Sequence, residues 1–399
     1  MLSNLIFIIP ILGLTAGLSL SVTIPIFIIG TLYAIRNDME IAYRGFKMEF
    51  ALLLLLAVSC LWSINISSSI TSVAKIFSLS FVSYILITNE KLVLDKLSIK
   101  SNILLLSIIF ALAVFYVELI GGGAISSWFR DVMQRKESHE FYLHYLDRGC
   151  SLLAMFAWLV IAQLLKEDKK IEAILLYIVV FITLYLSDSL SGFVGFILGG
   201  FVFLLTRYSF FSNPKFLSSI LIAGVTLFLC LAVTMKPYKL SDEMNFLPMS
   251  AKHRLFIWNF TADKAYEKPV LGWGHNSSRD FDIKESDMID YANHVLSPLP
   301  VHPHNNILQI LLENGFIGFV IYMALICRYL FLWNNLFCNT LTNQNLAIRS
   351  SGYACFATFF IISMISFNMW QSWWICSYLW IAILFSMQAA GIKLKHERA

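Results

Sequence analysis

"HPHNNILQILLENGFIGFVIYMALICRYLF", His302 to Phe331, changes character within a few residues. Pro303 separates two histidines, an Asn pair follows, and from Ile307 the chain is almost wholly apolar. A helix crosses a hydrocarbon layer about 30 Å thick with ~20 apolar residues. The stretch from 306 to about 333 therefore reads as a membrane span with titratable groups at its entrance. Composition extends that reading to the whole chain. Of 399 residues 58% are hydrophobic and 14% charged, where a soluble domain carries about 25% charged residues.

Working outward, the same criterion places spans near 3–17, 19–35, 49–65, 70–88, 102–121, 150–166, 171–187, 191–208, 217–235, 306–333, 349–369 and 373–392, twelve in all. The expectation is an all-α integral membrane protein, with 1–399 forming a single polytopic domain. Short loops set its orientation, because Lys and Arg favour the cytoplasm. Arg36, Arg44 and Lys47 follow span two, Lys91, Lys96 and Lys100 span four, and Lys166, Lys169 and Lys170 span six. Arg207 and Lys215 follow span eight, Arg349 span ten, and Lys393, Lys395 and Arg398 span twelve. All these loops fall on one side, so both termini are expected in the cytoplasm. Segments 122–149 and 236–304 then lie on the outer side. "MLSNLIFIIP" has no basic region or small-residue cleavage site and does not read as a cleaved signal peptide. The net charge of +4 says little about partners, and no nucleotide-binding motif suggests ATP. The seven cysteines are scattered and read as small packing residues.

The loop from about Lys236 to His304 concentrates the chemistry, since a long loop inside a compact domain is usually functional or disordered. Its aromatics, among them Phe256, Trp258, Phe260 and Trp273, argue against disorder. "AKHRLFIWNFTADKAYE" (251–267) has helical spacing and is expected as an amphipathic helix on the membrane surface, with Ser250 as its N-cap. Arg254 on that helix reads either as a snorkelling arginine or as a diphosphate clamp. His304 and Asn305 fall at the N-terminus of span ten, where free N–H groups favour an anion. His304 is a helix-end cap in the headgroup region or a functional imidazole. Arg148, at the outer end of span six, is an anchor or a second cation. Lys75 in span four and Glu118 in span five are charges at membrane depth, which are functional candidates by default. Gly272 and Gly274 in "EKPVLGWGHNSS" shape a turn, and Gly315 and Gly318 permit close helix approach. His302 and His304, with His275 and His294 nearby in sequence, give no dense ligand framework, so no metal is expected.

His304-Asn305, nine residues, then Gly315-Phe316-Ile317-Gly318 resembles the signature of the bacterial O-antigen ligase family, part of a superfamily with O-antigen polymerases and some protein O-oligosaccharyltransferases. "HRLFIW" followed by "KPVLGWG" resembles that superfamily as well. The resemblance implies a GT-C-like, inverting, metal- and cofactor-independent glycosyltransferase of lipopolysaccharide biosynthesis in the bacterial inner membrane. Its donor would be an undecaprenyl-diphosphate-linked glycan and its acceptor a sugar of lipid A-core, joined on the periplasmic side among membrane lipids, with no nucleic acid involved. It implies His304 and Arg254 as catalytic residues. Arg148, Lys75, Asn305 and His302 would bind diphosphate or glycan. One departure is Leu190 in "LSDSLSG", where many members carry an arginine. Arg148 or Lys75 could supply that missing contact. A polymerase or a protein transferase on the same scaffold remains open. A transporter of lipid-linked glycan would be expected to show internal repeats and midplane charges, and neither is evident here.

Overall fold

In a computed structural model, residues 2–40, 45–97, 101–134, 142–337 and 342–397 are described. Arg44, Lys100, Cys338 and Arg398 lie outside the described residues. The fold is a bundle of helices. Its first half runs α1 (Leu2–Thr15), α2 (Leu20–Ile35), α3 (Lys47–Ser59), α4 (Ile66–Thr88), α5 (Glu90–Leu97), α6 (Ser101–Ile120), α7 (Ala124–Gln134) and α8 (Asp147–Lys166). The second half adds α9 (Lys170–Leu186), α10 (Leu190–Leu205), α11 (Pro214–Thr234), α12 (Pro237–Glu243), α13 (Met249–Glu267), α14 (Asn306–Asn335), α15 (Asn343–Ile365) and α16 (Ser372–Glu397). A hairpin, β1 (Ile289–Tyr291) with β2 (His294–Leu296), turns through Ala292 and Asn293, both at positive φ. The sequence reading had no strand there.

Among the described residues, eight helices are long and apolar enough to cross a membrane. The other four expected spans, α1, α3, α9 and α10, are helical but 14, 13, 17 and 16 residues long. Length and composition alone thus support eight spans rather than twelve. Ala16, outside helical φ/ψ, separates α1 from α2, and Asp188 at φ 58° separates α9 from α10.

The centre of the bundle is α8. Every residue from Gly149 to Ala162 is buried, as expected of a helix apolar on all sides. Trp158 of α8 donates its indole N–H to Thr358 Oγ1 of α15 at 2.9 Å, and Thr358 donates on to the Gly195 carbonyl of α10 at 3.1 Å. This three-helix lock fixes α15, and with it the C-terminal end of α15 where the candidate site lies.

Two expectations fail in physical terms. Helix α13 starts at Met249 after Pro248, so Ser250 lies inside the helix and does not cap it. Phe256 and Trp258 pack against protein, while Tyr266 near its end is exposed. Trp258 packs edge-on against Phe228 of α11, and Phe256 packs against Tyr238 and Tyr291. Glu118 is also not a membrane-depth functional charge. It is fully buried, and its carboxylate accepts the Ile125 and Ser126 N–H groups at 2.7 and 3.0 Å, capping α7.

Gly315 breaks α14 with φ 64° and ψ −164°. The break strands the carbonyls of Leu312 and Glu313 and the N–H of Phe316, which buried backbone cannot leave unpaired. Loop 269–274 takes all three. Trp273 N donates to Leu312 O (2.9 Å), Gly274 N to Glu313 O (2.8 Å), and Phe316 N to Pro269 O (2.8 Å). Gly315 thus admits a loop, not a neighbouring helix, because a Cβ there would collide with the Val270 carbonyl. A Cβ on Gly272, at φ 69°, would meet the Glu313 backbone from the other side. A Cβ on Gly318 would meet the Asn314 side chain of its own helix. Gly315→Ala is expected to destabilise the protein by at least about 1–3 kcal/mol from backbone strain alone. A thermal melt in detergent checks this, and Phe316→Ala, on an exposed side chain next to the break, should change the midpoint far less.

Candidate active site

The last carbonyls of a helix have no partner within it. In α15 the ladder ends with Ser366 N donating to Ile362 O. The next five carbonyls, Ser363 to Phe367, accept from side chains of α13 and the segment entering α14. Asn306, in the amide orientation that satisfies both its atoms, donates to Ser363 O and Phe367 O at 3.3 and 3.2 Å. Asn305 Nδ2 donates to Met364 O at 2.9 Å, and Arg254 Nε to Ile365 O at 2.8 Å. His304 Nδ1 and His302 Nε2 meet Ser366 O at 2.6 and 3.2 Å.

A carbonyl oxygen only accepts, so each ring nitrogen facing Ser366 carries its proton. His304 is then the Nδ1–H tautomer, with its Nε2 lone pair turned away from the anchor. Its backbone, at φ 53°, is in the left-handed region that non-glycine residues rarely occupy. The two imidazoles stack with centroids 4.1 Å apart. Burial, reinforced by His302 and the Arg254 charge, pushes the His304 pKa down to about 3. Burial likewise lowers His302 to about 4. Both rings are neutral at physiological pH.

Arg254 and His304 are brought together because they sit on consecutive carbonyls. Two 2.6–2.8 Å hydrogen bonds to adjacent peptide units leave Nε and Nδ1 within about 10 Å of each other. Arg254 Nη1 also donates to Ser250 O at 2.8 Å, while Nη2 has no partner among the described residues. Asp147, at the start of α8, lies within electrostatic reach of Arg254, Arg148 and Asp188. Arg148 joins the Arg254 side and lies 5.8 Å from the centre of the Trp373 ring. Leu190 is exposed at the start of α10. Asn305 is fully buried, and its carbonyl group accepts Leu308 N at 2.9 Å as the N-cap of α14. With both amide atoms committed, it holds the helix entrance and offers a substrate nothing.

Lys75 takes a different place. It lines a cavity of about 350 Å3 between α4, loop 276–279 and segment 368–371. Arg279, which the sequence reading did not single out, lines the same cavity and lies within electrostatic reach of His302. Beneath it sits a second overlooked residue. Glu313 is fully buried and accepts from Asn276 N, Ser278 Oγ, Gln309 Nε2 and Trp370 Nε1. His275, also fully buried, hydrogen-bonds Ser72 through Nε2 and cannot reach a substrate. His294 stands exposed on the hairpin. The signal for Glu313 was a lone carboxylate inside a predicted span. Arg279 stood in a polar loop and had no such signal.

A family model described as O-antigen ligase matches residues 175–323. Full-length relatives agree. A "Putative polysaccharide ligase" of Rickettsia typhi is 36% identical over 96% of each chain. A protein of the same printed description from Rickettsia conorii is 36% identical over 97% of each, and one from Rickettsia bellii 37% over 96% of each. The chain belongs to the O-antigen ligase family. The match to this family's model includes Arg254, both histidines, Glu313 and Gly315, but neither Lys75 nor Arg148.

An amide at position 313 offers one acceptor oxygen to four donors and turns its own N–H groups toward the others. Glu313→Gln is therefore expected to cost at least about 3 kcal/mol, two charge-assisted hydrogen bonds at roughly 1.5 each. The readout is a lowered detergent melting midpoint, and an unchanged midpoint would contradict the assignment.

Proposed function

We propose that this protein transfers a glycan from undecaprenyl diphosphate to a sugar hydroxyl of lipid A-core at the periplasmic face of the inner membrane. The acceptor oxygen attacks the anomeric carbon with inversion. The bond to the diphosphate breaks, and the diphosphate leaves with the electron pair. His304 Nε2 takes the hydroxyl proton, while Arg254, with Arg148 beside it, neutralises the leaving group. The observation that carries this reading is the Ser366 carbonyl on His304 Nδ1, one residue from the carbonyl that holds Arg254. An imidazole and a guanidinium on adjacent carbonyls support a base and a diphosphate-binding cation acting together.

The low proton affinity of His304 fits this scheme. In the empty site burial, with His302 and then the Arg254 charge, holds the ring neutral. A bound diphosphate offsets the Arg254 charge and raises the basicity of Nε2. The proposed topology places all twelve apolar helices across the membrane, with both termini cytoplasmic and the segments 122–149 and 236–304 periplasmic, as the basic short loops favour. The shorter helices α1, α3, α9 and α10 would match the hydrocarbon layer by local thinning or snorkelling of their flanks.

The test is reconstitution of purified protein with the lipid-linked glycan and lipid A-core, without ATP or added metal. Glycan should appear on lipid A-core, and His304→Ala and Arg254→Ala should each reduce transfer at least ~100-fold. Growth of the glycan on its lipid carrier would instead make the protein a polymerase. With a lipid-linked donor varied, kcat/KM reports the free enzyme. His304 keeps its neutral form below the ordinary imidazole range. Burial pushes the Asp147 carboxyl beside Arg254 up to about 7, so the profile is read in Asp147→Asn, where it should stay flat from about pH 8 to about pH 5, and an acid limb near 6.5 would contradict the assignment.

A further inference from the structure

Helix α4 carries Ser68, Thr71, Ser72 and Lys75 at spacings i, i+3, i+4 and i+7, which stack on one helical face. A polar stripe of this kind has no place against lipid. It faces the 350 Å3 cavity. Arg279 and Trp370 line it as well. The indole N–H of Trp370 is committed to Glu313, and its ring packs against His275, so the side chain is fixed. No carboxylate lines the cavity. Among the described residues, neither Lys75 nor Arg279 makes an ion pair or a side-chain hydrogen bond. Two uncompensated cations therefore face a polar space of a size found in small-molecule sites, about 300–1,000 Å3.

Its position sets its role. Arg279 and Arg254 both lie within electrostatic reach of His302, which stacks on His304. The Arg254 and Arg148 cations serve the diphosphate of the donor, which leaves the Lys75 and Arg279 side for the other substrate.

We infer that this cavity is the acceptor subsite and takes a negatively charged saccharide, one bearing a phosphomonoester or a carboxylate. The inference rests on the ligase reading for the word acceptor, while the preference for an anionic sugar stands on the cavity alone. Hydroxyls and amides along the wall hydrogen-bond the sugar, Trp370 offers an aromatic wall, and Lys75 and Arg279 pair with the anion. The same anion chemistry could come from the donor's diphosphate, and the test separates the two sources.

Three synthetic disaccharides would be titrated into the full-length protein in detergent: a phosphomonoester, a uronic acid, and their neutral parent. The charged pair should bind at least about tenfold more tightly than the parent. Lys75→Gln and Arg279→Gln should each remove most of that preference, with melting midpoints confirming that both variants fold. High salt applied to the wild type should weaken it as well, independently of any variant. Added undecaprenyl diphosphate should leave the charged probes bound. Equal affinity for charged and neutral probes would overturn the inference. Displacement by undecaprenyl diphosphate would also overturn it, assigning the cations to the donor. Because the assay needs no transfer, retained selectivity in a protein that fails reconstitution would sink the ligase reading and leave the anionic-sugar preference standing.

Discussion

The site depends on the unpaired end of α15. Five successive carbonyls, Ser363 to Phe367, point out of the ladder and must find donors. The chain supplies them from three places: Arg254 on α13, His302 and His304 on the approach to α14, and Asn305 and Asn306 at its start. The negative end of the helix dipole favours these donors, above all the guanidinium. One backbone terminus thus does several jobs. It orients the His304 tautomer, places the Arg254 cation beside it, and pins the entrance of α14. Removal of Arg254, Asn305 or Asn306 leaves a carbonyl without its side-chain donor, while Ser366 O is shared by both histidines.

Two supports keep that terminus in place. From within the bundle, the hydrogen-bond relay from Trp158 through Thr358 to Gly195 ties α8, α15 and α10 together. From the long loop, residues 269–274 insert into the break at Gly315 and exchange backbone pairs with α14. Glu313 sits at the junction, joining loop 276–278, α14 and Trp370 through four donors. The wall of the Lys75 cavity is built from the same loop and the same Trp370. The two candidate binding regions thus share α14, which Glu313 ties to loop 276–278 and Trp370.

Much of this was legible in the sequence. Each of the twelve apolar stretches forms a helix, because a long apolar run satisfies its own backbone that way, while only eight of them are long enough to cross a membrane. His304 and Arg254 were legible as a pair through the resemblance of their motifs, not through spacing, since fifty residues separate them. The carbonyls at 363–367 were invisible. "SMISF" bears no functional group of note, and its role lies in backbone left over when a helix ends. The role of Gly315 was misread for a related reason: a glycine in an apolar run signals close approach, but not whether a helix or a loop approaches. Asn305 looked like a ligand for an anion because its partners, Leu308 N and Met364 O, are fixed only by folding. Arg279 was missed because cations in polar loops are common. Its significance comes from Lys75, which lies about two hundred residues earlier in the chain.

The central claim is that His304 is held neutral, with its proton on Nδ1 and a lone pair on Nε2. Solid-state NMR of protein labelled with 15N-histidine, with His304→Gln to assign the signal, reads this directly. The account predicts a protonated Nδ1 and an unprotonated Nε2, unchanged from about pH 8 to about pH 5. A cationic ring in that range, or a proton found on Nε2 in place of Nδ1, would contradict it.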